Sequence, residues 1–404
     1  MKKLLLILIV ISVLHIKAQT AGCTDPLAIN YNSLSTINDG SCTYSNASIS
    51  PTNTYSLPEI VNESSGLILW NDRIWTHNDD TDTNLYALNT NNPDSNEAVA
   101  LIGTNNVDWE EMSQDENYIY IGDFGNNANG NRKDLQILKV KKSTLQTNNQ
   151  EIETIKFSYS EQTNFTPTGS NNTDFDCEAM VVTTDKIFLF TKEWLSKKTS
   201  IYSLPKNPGN YVATYQSTYD VSGLITGAAF LESKNLLVLC GYSAQISPFL
   251  YLLYDFSGEQ FFGGNKRKVA LDLPLHQTEG IATSDGLNYF ISNEKYDIIT
   301  QELHKLDLTG YLGNYLATLS VDQVGISDKD PIFFPNPVSD TLTVKLRGNY
   351  DNGKYILYDL SGKTIIKGTL QHSNNEIYVG ALDKGIYVLV IQDNTTIAKK
   401  IIKI

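Results

Sequence analysis

Residues 108–140, "DWEEMSQDENYIYIGDFGNNANGNRKDLQILKV", decide the fold. An acidic signal at Asp108–Glu111 meets the apolar Met112, and a turn follows. A strand of alternating aromatic and apolar residues then spans Tyr118–Asp123, and after a Gly- and Asn-rich loop a further alternating run ends at Val140. Period-2 alternation between turn residues is the mark of half-buried antiparallel strands. The same grammar returns about every fifty residues, with opening signals "NESSGLIL" at Asn62, "DCEAMVV" at Asp176, "ITGAAFL" at Ile225 and "TEGIATS" at Thr278. Each is followed by a second strand ("DRIWTHND", "DKIFLFTKE", "NLLVLCGYS", "NYFISNEK"), a third, and in most repeats a fourth. Four antiparallel strands per repeat at this period read as propeller blades.

The count gives an all-β chain with a five-bladed β-propeller over residues 51–322. A six-bladed alternative would hide a blade between Leu145 and Asp174 or use "YLATLSVD". The last repeat shows three clear strands, while "TYSLPEIVN" stands alone before the first signal. If that segment supplies the missing strand, the amino end closes the ring and no sheet edge is left exposed.

In a propeller the innermost strand starts on the face where the second strand ends, so these positions converge on one mouth. The starts bring Glu63, Glu110, Glu111, Glu178 and Glu279. The second-strand ends bring His77, Asn78, Asp79, Asp80, Asp123, Asn126, Asn127, Lys192, Glu193, Tyr242, Asn293, Glu294 and Lys295. Crowded carboxylates raise one another's pKa unless cations or donors compensate. The expected ligand-binding set is His77, Asn78, Asp79, Asp108, Glu110, Asp123, Asn126, Arg132, Glu178, Lys192 and Glu279, and the expected metal ligands are Asp79, Asp123 and Glu178, with calcium as the ion. Lys192, Lys295 and Arg132 offer an alternative compensation. Three uses of such a mouth stay open: a polar lining that binds only water, a ligand or metal site, and a hydrolase or lyase site. In the last, Glu178 with Asp79 or Asp123 would act as an acid and base on a glycan, or a carboxylate-held calcium would polarise a lactone carbonyl.

The net charge of −14 argues against nucleic acid as a partner. No HExxH or Cys-x-x-Cys spacing and no G-x-S-x-G elbow occurs. Residues 1–18, with Lys2 and Lys3 ahead of an apolar run, read as a signal peptide, and no stretch approaches the roughly twenty apolar residues of a membrane span. Residues 19–50 read as a small module closed by a Cys23–Cys42 disulfide, a bridge worth roughly 3 kcal/mol over a loop of this length. Asp25, Asn30, Asn32, Asn38 and Asp39 there offer hard oxygens for calcium, or equally caps for turns. Cys177 and Cys240 are left either paired or as buried thiols.

The carboxyl end has a different character. After a linker at 323–331, residues 332–404 hold "FFPNPVSDTLTVKL", "YILYDLSGKTIIKG", "NNEIYVGALDKGIYVLVIQ" and "AKKIIKI", the short strands of a small immunoglobulin-like β-sandwich. Pro335, Asn336, Pro337, Asp359, Gly362, Lys363, Gly385, Tyr387 and Lys403 form a pattern that resembles the type A C-terminal sorting domain of the type IX secretion system of Bacteroidetes. That resemblance implies export by the type IX translocon, cleavage by its C-terminal signal peptidase, and a secreted or outer-membrane-surface location. The succession "HNDD", "VDWEEMS", "IGDFGNN", "DCEAM" and "TKEW" also resembles a family of secreted bacterial propellers, one to which the resemblance attaches no activity.

Overall fold

In a computed structural model of the chain, the described residues are 19–320, 332–346, 353–359, 362–370, 374–392 and 396–404. The signal peptide expected at 1–18 and the linker expected at 323–331 lie outside them. The chain divides into two compact units, Met1–Leu316 and Ala317–Ile404.

The first unit is all-β and propeller-like. Its strands pair as antiparallel runs of four. The first run comprises Ile68–Trp70, Arg73–Thr76, Asn84–Asn89 and Asn92–Ala100. Trp109–Gln114, Tyr118–Asp123, Gln136–Lys141 and Ile152–Tyr159 make the second. The third is Cys177–Val182, Lys186–Thr191, Thr199–Pro205 and Gly209–Tyr219, whose last strand pairs in parallel with Ile152–Tyr159. Leu224–Leu231, Leu236–Tyr242, Pro248–Tyr254 and Asn265–Leu271 follow, with Ser48–Ile49 added in parallel at the edge. The final run is Thr278–Thr283, Asn288–Asn293 and Glu302–Asp307, and its fourth strand is Asn53–Ser56 from the amino side. "TYSLPEIVN" therefore supplies the strand that the last run lacked.

Inner strands lie against inner strands in sequence order, and the last returns to the first. Glycines permit close approaches, two of them between inner strands. A Cβ on Gly227 would collide with the carbonyl of Glu279, and one on Gly280 would stand 2.9 Å from the carbonyl of Ser65. At the centre Glu111, fully buried, accepts hydrogen bonds from the N–H of Met112 at 2.9 Å and of Ala228 at 2.8 Å, tying separate inner strands to one carboxyl group. Between the sheets, side chains from facing runs share apolar clusters such as Tyr120, Ile155, Met180 and Tyr202. Burial of Leu, Ile, Val and aromatic side chains at roughly 25 cal/mol per Å² is the main stabilising term for such a sheet stack.

One sequence expectation is corrected. Residues Thr309–Ser320, which include most of "YLATLSVD", form an α-helix and supply no strand to a further blade. Tyr311, Leu312, Tyr315 and Leu316 recur at helical spacing and pack on the same apolar cluster as Leu306 and Leu308. The side chain of Asp307 caps the helix start by accepting the N–H of Thr309 at 2.8 Å. No helix among the described residues is long and apolar enough to cross a membrane.

The amino-terminal module carries the expected Cys23–Cys42 disulfide. It docks on the fourth run: Asn38 Nδ2 donates to Asp255 Oδ2 at 2.8 Å and to Asn265 Oδ1 at 2.9 Å, and Tyr44 and Tyr254 both donate to Asp25 Oδ2. Cys177 and Cys240 are separate buried thiols.

The second unit holds two antiparallel sheets, one of Ile332–Phe334, Thr341–Lys345 and Asn374–Tyr378, the other of Thr364–Leu370, Gly353–Asp359, Gly385–Gln392 and Thr396–Lys403. Leu342 and Val344 of the first sheet share a core with Leu357, Leu389 and Ile401 of the second. The marked residues have local tasks. Asn336 clamps the last strand, donating to Lys400 O at 2.9 Å and accepting from Ile402 N at 2.8 Å. Asp359 accepts the N–H of Lys363 across a turn in which Gly362 takes φ +83°.

Candidate functional site

Four of the five inner strands are irregular at one place. Paired with the second strand, Glu111 faces Gly122 and Trp109 faces Asp123, which leaves Glu110 as an extra residue. Glu178 is extra between Cys177 and Ala179, Thr226 between Ile225 and Gly227, and Glu279 falls in the shift between Thr278 and Ile281. A bulge re-aims a side chain that regular alternation would send elsewhere. Here it aims Glu110, Glu178 and Glu279 into one cavity. Thr226 has the equivalent place in the fourth run, but its hydroxyl donates to Thr278 O at 2.5 Å.

That cavity measures about 190 Å³ and is lined by Ser65, Asp79, Glu110, Asn127, Asn171, Glu178, Lys192, Trp194, Tyr242, Gln277, Glu279 and Glu294. These are inner-strand starts, second-strand ends and the loops beyond them. The convergence follows from antiparallel pairing alone: Asp79, Lys192, Tyr242 and Glu294 end or follow second strands, opposite the carboxylates that open the inner ones.

The electrostatics are lopsided. Burial pushes the carboxyls of Asp79, Glu110, Glu178 and Glu279 well above the usual carboxylate range, and each is raised further by acidic neighbours. Burial also raises Asp108 to about 6 and Glu294 to about 7. Among the described residues Lys192 is the one cation in the wall. Its burial alone would discharge it, but Glu178, Tyr242 and Glu279 hold the ammonium well above its ordinary pKa. Lys192 Nζ lies 2.5 Å from Glu178 Oε2, and stands over the rings of Trp194 at 4.9 Å and Tyr242 at 5.2 Å.

Of the residues expected from sequence, Asp79, Glu110, Glu178, Lys192 and Glu279 line the cavity. Asp108 joins them from beside it, clustered with Asp79 and Glu110. The others stand behind the wall. His77 is fully buried, edge-on to Trp109 at 5.8 Å, and burial lowers its pKa to about 4. Asn78 donates to Ile60 O at 2.9 Å, and Asn126 to Phe175 O at 3.0 Å. The expected metal ligand Asp123 is spent elsewhere: Oδ1 accepts from Arg132 Nη2 at 2.9 Å and from the N–H of Asp108 at 3.2 Å, while Oδ2 accepts from Gln136 Nε2 at 2.9 Å. Asp123 and Arg132 thus brace the loop that carries Asp108, and the trio Asp79, Asp123 and Glu178 is not a ligand cluster. Asp176, Trp194 and Gln277 escaped the sequence reading. Asp176 was legible only as the first acid of Asp-x-Glu; its carboxylate accepts from Asn126 N at 2.6 Å and Trp194 Nε1 at 2.7 Å.

Two acidic triads have ligand atoms within 4.8 Å of one another: Asp79, Asp108 and Glu110, and Glu110, Asp176 and Glu178. Glu110 belongs to both. It is 3% exposed, and its Oε1 has no hydrogen-bond partner, as is also true of Asp79 Oδ1. A third cluster, His276, Glu302 and His304, is wired differently. The amide of Asn293 donates to Glu294 O and Thr300 O, so its Oδ1 accepts, and His304 Nε2 must carry the proton it donates there at 2.9 Å. His304 Nδ1 then accepts from Thr54 Oγ1 at 2.9 Å. Both nitrogens are engaged in closing the ring.

In the amino-terminal module the candidate oxygens are used in turns and docking. Asn30 Oδ1 accepts Thr43 N, Asn32 Oδ1 accepts Leu34 N, Asn38 Oδ1 accepts Gly40 N, Asp39 Oδ1 accepts Ser41 N, and both carboxyl oxygens of Asp25 have protein donors. They act as caps.

Comparison with known proteins bears mainly on the tail. A funoran endo-beta-hydrolase of Wenyingzhuangia aestuarii is 39% identical over 82 residues, which are 20% of this chain and 11% of that protein. Among solved structures, PorZ of Porphyromonas gingivalis, a bacterial surface component of the type-IX secretion system, is 12% identical with a TM-score of 0.31, covering 84% of this chain and 45% of that one. The Bombyx mori GH32 beta-fructofuranosidase BmSUC1 is 8% identical with a TM-score of 0.39, covering 87% and 88%. At these scores neither likeness bears on what the first unit does. Residues 332–404 match the secretion system C-terminal sorting domain family, so this chain carries a type IX sorting tail, which implies export and a cell-surface or secreted location.

Proposed function

We propose that the chain is an exported protein whose first unit is a five-bladed β-propeller, and that its acidic mouth binds a divalent cation, calcium by donor chemistry, through Asp79, Asp108 and Glu110. The cation would present an open coordination face to an extracellular ligand. Residues 1–18 serve as signal peptide, 19–50 as a docked module, 51–322 as propeller, 323–331 as linker and 332–404 as the sorting domain read by the translocon and its peptidase.

Glu110 carries the reading. A buried carboxylate oxygen without a donor costs about 1–3 kcal/mol or more, and neither Lys nor Arg lies within ion-pair distance of Asp79, Asp108 or Glu110 among the described residues. Oxygens within 4.8 Å of one another can share an ion at about 2.4 Å, and an all-oxygen set suits calcium over zinc. Three carboxylates leave coordination positions for water or a ligand oxygen. The test is thermal melting in EDTA and then with calcium: a rise of several degrees supports the reading, and an unchanged midpoint refutes it.

A second reading, a hydrolase or lyase at the same mouth, is favoured by one observation. Glu294, raised to about 7 by burial, shares the cavity with Glu178, whose Oε2 lies 2.5 Å from Lys192 Nζ, so two carboxyl groups and an ammonium stand around one space. Turnover of a glycan or lactone that is abolished in folded Glu294→Gln and Glu178→Ala variants would support it.

A further inference from the structure

The two triads share Glu110 but differ in what neutralises them. Into the triad of Glu110, Asp176 and Glu178 the chain inserts its own cation. Lys192 Nζ, on a side chain 5% exposed, lies 2.5 Å from Glu178 Oε2, a side chain 3% exposed. The attraction of Asp176 and Glu279 adds to that of Glu178 in holding its charge. Around the triad of Asp79, Asp108 and Glu110 no ammonium or guanidinium is bonded among the described residues, and Asp79 Oδ1 and Glu110 Oε1 lack partners. Each triad sets three ligand atoms within 4.8 Å of one another; Asp176 of the second also accepts from Asn126 N and Trp194 Nε1, and Lys192 is the cation that the second holds and the first lacks.

We infer that Lys192 occupies the second of two adjoining cation sites, so that the mouth takes one divalent cation where its carboxylates are arranged for two. This rests on the cation reading above and adds which position is filled by protein. An ammonium within reach of Glu178 repels a divalent ion from the Glu178 triad and leaves Glu110 free to serve the other. Lys192 is thereby the residue that sets stoichiometry, and it also keeps the wall beneath Trp194 and Tyr242 closed to a second ion. Removing its charge, with the chain otherwise intact, converts the Glu178 triad into a site of the same all-oxygen chemistry.

The experiment is calcium titration by calorimetry at pH 7.5 of the full chain, its Lys192→Gln variant and its charge-keeping Lys192→Arg variant. One ion per chain is expected for the wild type and for Lys192→Arg, and two for Lys192→Gln. A single ion in Lys192→Gln overturns the inference and leaves the cation reading standing. No ion in the wild type overturns the cation reading itself. Two ions in the wild type overturn the inference alone. Should Lys192→Gln unfold in EDTA, the inference requires calcium to refold it, as followed by circular dichroism, and a variant that stays unfolded in calcium overturns it.

Discussion

Lys192 Nζ and Glu178 Oε2 lie 2.5 Å apart with both side chains at most 5% exposed, one at the end of a second strand and the other on the bulge of the inner strand beside it. The pair exists because antiparallel pairing sets residue 191 opposite residue 177 and the bulge turns Glu178 toward the space that Lys192 enters. A buried pair of this kind is weak evidence for stability by itself, but removing one partner leaves the other charged and uncompensated.

Glu178→Ala should therefore destabilise the first unit by about 3–5 kcal/mol, while the double change Glu178→Leu with Lys192→Met should cost much less. Urea unfolding of the Glu178→Ala variant and the double variant checks this. Equal costs for Glu178→Ala and the double variant would show that the charges are not coupled.

Ring closure depends on His304 in its neutral form. Burial lowers its pKa to about 3, and it bridges Thr54 of the closing strand to Asn293. His304→Ala removes both bonds and opens a small cavity, so a loss of about 2–4 kcal/mol is expected. Hydrogen exchange should show amides of Asn53–Ser56 exposed before those of the other runs.

Glu294 gives the pH dependence a sign. Its carboxyl is raised to about 7, mainly by burial, so the native state holds a proton that the unfolded chain releases near the ordinary value of 4.5. Its contribution is complete below about pH 4.5 and is lost as pH rises through about 7, amounting to roughly 1–3 kcal/mol. In EDTA, Glu294→Gln should flatten that part of the stability curve. His304, with a lowered pKa, imposes the opposite slope between about pH 3 and 6.5, so the difference between variant and wild type is the quantity to follow.

The sorting tail should act as an export label whatever the mouth binds. Deleting residues 332–404 should leave the first unit in the periplasm, as read by cell fractionation. Unimpaired surface delivery or release of the truncated chain would contradict this.

Much of the first unit was legible because apolar and aromatic runs such as "YIYIGD" and "KIFLFT", bounded by turn residues, mark its strands, which the fold buries along nearly their whole length. The convergence of Asp79, Glu110, Glu178, Lys192 and Glu279 followed from strand order. The bulges were not legible, since Glu110 and Glu111 look alike in sequence, yet one lines the cavity and the other is bound to backbone N–H groups at the centre. Asp123 was misjudged for a related reason: its choice of Arg132, nine residues on, is made by a loop whose path local pattern does not encode. The helix Thr309–Ser320 went unseen because Gly310 and Gly313 and the tyrosines at 311 and 315 weaken helical propensity, which packing on the core overrides.

The most direct test of the account is calorimetric titration of calcium into the purified chain and into Glu110→Gln, each shown to be folded. The account predicts one ion per wild-type chain and a loss of at least about tenfold in affinity, on the order of 1.4 kcal/mol, in the variant. Unaltered calcium binding by Glu110→Gln, or no binding by either chain, would contradict it.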